Sequence, residues 1–142
     1  MQGWAPSTLT DRGREQARAL GAHLAARYDF DRLFASDLRR TRDTTAMVRE
    51  HGIPPEPTLD RAWRERDFGV YQGLTKTEVF EQYPEFAVTS GVSAVREVPE
   101  NGESLLAARE RVLDGWTQLL DEAAGETVLV VTHGGPIYLL LG

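Results

Sequence analysis

Thr127-Val128-Leu129-Val130-Val131-Thr132-His133-Gly134-Gly135-Pro136 is the stretch whose reading decides the fold. An uncharged run of β-branched residues and leucine suits a strand buried on both faces of a sheet. The run stops at a histidine, and two glycines allow a tight turn. Pro136 fits the first turn of a new helix, where a missing N–H costs nothing. His133 is therefore expected at the carboxyl end of a strand, facing a helix N-terminus. Ligands of open α/β sheets bind at that place, and free N–H groups there favour an anion. An ordinary strand-end histidine with a polar partner is the alternative at this point.

Working outward, strands and helices alternate. Thr10 is an N-cap for a helix over Thr10 to about Tyr28, with Asp11 in its first turn and Ala17, Leu20, Leu24 and Tyr28 as one apolar stripe. His23 lies off that stripe. Arg32 to Ser36 reads as a strand. A second helix, capped by Ser36 or Asp37, runs to about His51 with Leu38, Thr45 and Val48 inward, and Gly52 with Pro54-Pro55 closes it. Glu56 to Leu59 reads as another strand, and Thr75 to Tyr83 as a short helix capped by Thr75. Residues 84–101 are irregular and form a candidate lid. Gly102-Glu103-Ser104 then leads into a strong helix whose Leu105, Leu106, Val112, Leu113, Trp116, Leu119 and Leu120 are expected to form a broad buried face. The pattern predicts one α/β domain over residues 1–142, a three-layer α/β/α sandwich on a mostly parallel sheet.

Composition narrows the function classes. The 142 residues carry a net charge of −6, which argues against general nucleic-acid binding. There is no cysteine, hence no thiolate chemistry, and the three histidines (His23, His51 and His133) have no metal-ligand spacing. No apolar run is long enough to span a bilayer and no secretory pattern is present, so a soluble cytoplasmic protein without a membrane partner is the default. Neither a P-loop nor a G-x-G-x-x-G motif supports nucleotide binding. The basic residues are arginines except for Lys76.

Three groups at predicted element ends can carry chemistry. Among Arg39, Arg40 and Arg42 at a strand-to-helix junction, Arg40 is the candidate inward anion ligand, and the other two suit a solvated helix start. In Arg64-Glu65-Arg66-Asp67-Phe68-Gly69, Glu65 is a candidate acid, whereas Asp67 suits local ion pairing. His133 completes the set.

These motifs, taken together, resemble the histidine phosphatase superfamily with its phosphoglycerate-mutase-like fold. The resemblance rests on Gln2-Gly3-Trp4 through Thr10-Asp11-Arg12-Gly13, Ser36-Asp37-Leu38-Arg39-Arg40-Thr41, Glu65 to Gly69 with Gln72-Gly73, and Thr132-His133-Gly134. Asn101-Gly102-Glu103-Ser104 with Arg111-Val112 adds to it. It implies a phosphohistidine mechanism without cofactor or metal, acting on a small phosphorylated metabolite. Arg40, Glu65 and His133 would be catalytic. Gln2, Gly3, Arg40, Lys76, Gly134 and Gly135 would bind substrate. A phosphatase is favoured over a phosphoglycerate mutase, because the stretch between Glu65 and His133 is short. A non-catalytic phosphate- or partner-binding domain is the reading from a different class.

One departure is central. The family's nucleophile is the histidine of an Arg-His-Gly motif on a first strand just before the Gln-Gly-Trp loop, and these 142 residues hold no such motif. The resemblance implies a chain cut at both ends and inactive alone, with a strand missing beside 127–132. A buried strand stripped of ladder partners is costly. The chain is thus expected to be poorly stable alone or completed by another copy as a homo-oligomer. A cooperative thermal melt of a dilute monomeric preparation would contradict this.

Overall fold

Two apolar surfaces, one on each side of a short parallel sheet, organise the molecule. The computed structural model describes residues 1–84 and 96–141. Its elements are α1 (Asp11–Ala25), β1 (Arg32–Ala35), α2 (Arg39–Arg49), β2 (Pro57–Leu59), 3₁₀ turns at Arg61–Trp63 and Gly69–Tyr71, α3 (Lys76–Gln82), α4 (Leu105–Glu122), β3 (Val128–Val131) and α5 (Gly134–Leu141). The strands lie in the order β2-β1-β3, with both pairings parallel.

Alternation along the strands sends side chains to opposite layers. Leu33 and Ala35 join Ala17, Met47, Val48 and Ile53 beneath α1 and α2, with Leu129 and Val131 alongside. Phe34 faces the other way with Trp63 and Leu119, joined by Val128, Val130 and Leu140 beneath α4 and α5. Helices on both faces of a parallel sheet give the expected three-layer α/β/α sandwich. Local chemistry sets the helix starts: Thr10 accepts from Gly13 N–H, Ser104 accepts from Ala107 N–H, and Thr75 with Glu78 makes a reciprocal capping box.

Several expectations need correction. Asp37 and Ser36 do not cap α2, whose N-cap is Leu38 without a side-chain bond, because both polar side chains are used elsewhere. On α1 the inward face is Ala17 and Gly21, and Leu20 and Tyr28 are exposed, since the helix turns its small residues toward α2. On α4 the buried stripe is Ala108, Val112 and Leu119, while Leu106, Trp116 and Leu120 are exposed. β3 is half-buried along its length instead of buried on both faces. Among the described residues it pairs only with β1, so one edge has no neighbouring strand. Trp63 is a core side chain. Of the candidate lid, residues 85–95 lie outside the described residues.

The crossing of α1 over α2 depends on Gly21. A Cβ there would lie 2.8 Å from Val48 Cα and closer still to its carbonyl oxygen. Alanine is favoured over glycine inside a helix by about 1 kcal/mol, but forced overpacking costs about 1–3 kcal/mol. Gly21→Ala is therefore expected to destabilise the protein on balance, by roughly 1 kcal/mol or more, in urea denaturation. A gain in stability would show that the two helices separate without penalty.

Candidate active site

Parallel register delivers the first part of the site. Ala35 sits opposite Val131, and Ser36 N–H donates to Val131 O at 3.0 Å, so β1 and β3 end level. The residues following each strand therefore meet. His133 Nε2 lies 2.8 Å from Ser36 Oγ and 3.1 Å from Thr41 Oγ1, and its Nδ1 lies 3.3 Å from Arg40 Nη2. Arg40 and Thr41 come from the first turn of α2. Arg40 also donates to Gly3 O at 2.7 Å and, at longer range, to Ala5 O and Ser7 Oγ, which ties the N-terminal loop to the site. Beside these residues is a cavity of about 140 Å³ walled by Arg40, Thr41, Thr44, Thr132 and His133.

Electrostatics follow from burial. The His133 imidazole is held down to about 4, first by desolvation and then by the charges of Arg40 and Arg111. It is neutral at neutral pH. Burial also lowers Arg40 from its ordinary value, with Glu65 opposing that effect, yet an arginine stays cationic. The site thus joins a fixed cation to a neutral imidazole, with a carboxylate within electrostatic reach.

That carboxylate is held by backbone. Glu65 Oε1 accepts from Arg66 N–H at 2.8 Å and Oε2 from Gly135 N–H at 3.1 Å, which brings the acid to the first turn of α5 beside His133. The segment carrying Glu65 is clamped from behind. Arg111, on α4, donates to the carbonyls of Arg61, Ala62, Arg64 and Glu65 at 2.9–3.3 Å and pairs with Glu103. Glu103 also accepts from Asp67 N–H at 3.0 Å. Trp4 Nε1 donates to Glu65 O at 2.7 Å, and Arg64 lies over the Trp4 ring at 4.4 Å. Arg64 forms a bidentate pair with Asp37 at 2.5 and 2.6 Å, which lowers the Asp37 carboxyl and raises the guanidinium. This pairing explains why Asp37 does not cap α2.

Arg40, Glu65 and His133, far apart in sequence, reach one end of the sheet. Arg39 and Arg42 point to solvent. Gly3 is buried and meets Arg40 through its carbonyl, whereas Gln2 is exposed. Gly134 is exposed at the start of α5. The Gly135 N–H, expected to face a phosphoryl group, is taken by Glu65, a correction caused by the glutamate reaching the helix N-terminus first. Lys76 is exposed at the start of α3, with no hydrogen bond or ion pair among the described residues. His23 lies on the exposed side of α1 against Arg27. Ser36, Thr41, Glu103 and Arg111 were not singled out as site residues from the sequence. Two hydroxyls flanking a strand-to-helix turn were the available signal for the first pair.

The whole chain, residues 1–142, matches the family model described as histidine phosphatase superfamily (branch 1). It is 38% identical over 144 residues to a 2,3-bisphosphoglycerate-dependent phosphoglycerate mutase of Methylobacterium radiotolerans, covering 98% of this chain and 68% of that one. It is 34% identical to a metal-independent phosphoserine phosphatase of Arabidopsis thaliana, covering 95% and 57% respectively. The alpha-ribazole phosphatase structure from Shigella flexneri aligns with a TM-score of 0.88 at 26% identity over 99% of this chain and 69% of that one. The chain thus spans only part of these relatives, down to 57% of the phosphoserine phosphatase.

Gly135 makes the placement of Glu65 testable. A Cβ at this position would lie 2.9 Å from Glu65 Cδ and collide with Oε1. Gly135→Ala is expected to keep the fold, since alanine is the better helix residue, while expelling the carboxylate. An unchanged or raised melting temperature with a shifted Glu65 carboxyl carbon resonance is the expected result. An unmoved resonance would place Glu65 away from α5.

Proposed function

The chain belongs to the histidine phosphatase superfamily, and on that footing we propose that it carries the phosphoryl-binding and acid parts of a metal-independent phosphomonoesterase. The observation carrying this reading is the convergence of Arg40, His133 and Glu65 at the ends of β1 and β3. Arg40 can hold two phosphoryl oxygens in one plane and stabilise charge in the transition state. His133 meets the same group from the neighbouring strand. Glu65 donates a proton to the leaving oxygen and then takes one from the attacking water. Gly3 keeps Arg40 oriented through its carbonyl, and the family resemblance assigns Gln2 and Gly134 to substrate binding. Lys76 is assigned, on the family resemblance alone, to a second anionic group of a small phosphorylated metabolite.

In this mechanism a histidine nucleophile takes the phosphoryl group and water removes it. None of the three histidines present is suited to that role. His23 and His51 are exposed on α1 and beyond α2, and His133 has both nitrogens engaged. The 142 residues by themselves therefore bind a phosphoryl group without turning it over. Loss of a nucleophile can cost on the order of a million-fold in rate.

A mutase is the second reading, favoured by the similarity to the Methylobacterium mutase and by the exposed Lys76. A longer product of the same gene with an in-frame Arg-His-Gly separates the two: phosphate release marks a phosphatase, and transfer between phosphoglycerates marks a mutase. Upstream codons without that motif favour a purely binding domain.

For the chain itself, inorganic phosphate is expected to bind and Arg40→Ala to abolish binding, as followed by phosphorus NMR. Incubation with radiolabelled phosphoglycerate is expected to leave no acid-labile label on the protein. Trapped phosphohistidine would overturn the proposed inactivity, and phosphate binding indifferent to Arg40 would overturn the assigned pocket.

A further inference from the structure

The hydrogen-bond geometry around His133 assigns its protons. Arg40 is a donor only, and its planar N–H is aimed at Nδ1, so Nδ1 must accept. The ring proton of the neutral imidazole is then on Nε2, where Ser36 Oγ at 2.8 Å and Thr41 Oγ1 at 3.1 Å are available to accept it. Both hydroxyls are buried, at 0% and 3% exposure, so water does not compete for the ring. The atom turned toward Arg40 is consequently a lone pair. An anion arriving beside Arg40 meets that lone pair and is repelled unless a proton intervenes.

We propose that Ser36 and Thr41 are positioning residues that accept the Nε2 proton and so seat the tautomer that Arg40 selects, and that a tetrahedral dianion enters beside Arg40 only together with a proton on Nδ1. This rests on the phosphoryl-site reading and deepens it: binding the anion and charging the imidazole are one event. The proton comes from solvent, no covalent bond changes, and the product is an imidazolium donating from Nε2 to a hydroxyl and from Nδ1 to the anion. The charged groups acting on the ring fit this coupling. Burial first, and then Arg40 from α2 and Arg111 from α4, keep the imidazole neutral. Glu65, whose charge acts on Arg40, is engaged by two backbone N–H groups. A dianion offsets the two arginines and removes their objection to a third positive charge.

Sulfate is the probe, because it stays dianionic across the working range and any proton taken up belongs to the protein. Nitrogen NMR of labelled His133 is expected to show Nε2–H alone in the free protein and both nitrogens protonated with sulfate bound. Calorimetry in two buffers of different ionisation heat is expected to give about one proton taken up per sulfate, with affinity falling roughly tenfold per pH unit while the free ring is neutral. Replacing both hydroxyls (Ser36→Ala with Thr41→Ala) is expected to leave Nε2–H as the free tautomer, since Arg40 still donates to Nδ1, but to shift its resonance and speed its exchange with solvent, and Thr41→Ser alone to keep both as in the unsubstituted protein. If the double variant does not fold, the unsubstituted protein decides by itself. A bound neutral Nδ1–H ring, or pH-independent sulfate affinity, overturns the coupling and leaves the phosphoryl pocket standing. Sulfate binding that is absent, or unaffected by Arg40→Ala, removes the pocket and the coupling together.

Discussion

The level ending of β1 and β3 is the constraint on which the site depends. Two parallel strands in register, Ala35 against Val131, place the residues beyond them side by side without help from any long loop. Ser36 is buried because it directly follows a core strand. His133 meets it because β3 ends at the same height. A one-residue slip would send the apolar sets of both strands to the wrong faces, so the packing of the two cores also guards the site. Arg40 and Thr41 then arrive from the first turn of α2, whose starting point is set by that same strand.

Glu65 reaches the site by a different route. It lies between two short 3₁₀ turns, a segment with little regular structure to hold it. The stiffness comes from Arg111, which gathers successive carbonyls of that segment while Glu103 balances its charge. Both side chains of this pair are largely buried, and such a pair contributes chiefly when its remaining donors are satisfied. Here the leftover guanidinium donors go to backbone carbonyls. The same Glu103 accepts from Asp67 N–H, so the entrance to α4 and the acid-bearing segment move as one unit.

Much of this was legible in the sequence. The apolar run ending in His133, the caps at Thr10 and Thr75, and the alternation of strands with helices all rest on local chemistry, and all appear. Arg40 could be chosen over Arg39 and Arg42 because one helix face cannot present three adjacent arginines inward. Partnerships were harder to read. Nothing local says that Asp37 prefers Arg64 to a helix N-terminus, or that Gly135 offers its N–H to Glu65, since each depends on a segment far along the chain. The overestimated burial of α4 and β3 has a similar origin. Leu106, Trp116 and Leu120 read as core by composition, but burial requires a neighbour, and among the described residues only one stripe of that helix has one.

The clamp from α4 has an evolutionary corollary. Because Arg111 grips main-chain oxygens, which every amino acid possesses, the side chains at positions 61, 62 and 64 do not enter its bonding. Substitution at the exposed Arg61 can therefore change what surrounds the acid while its anchor point stays put, whereas Arg64 is committed to Asp37 and Trp4 and Ala62 is buried. The surroundings of Glu65 can thus change along this segment while its backbone anchor is retained.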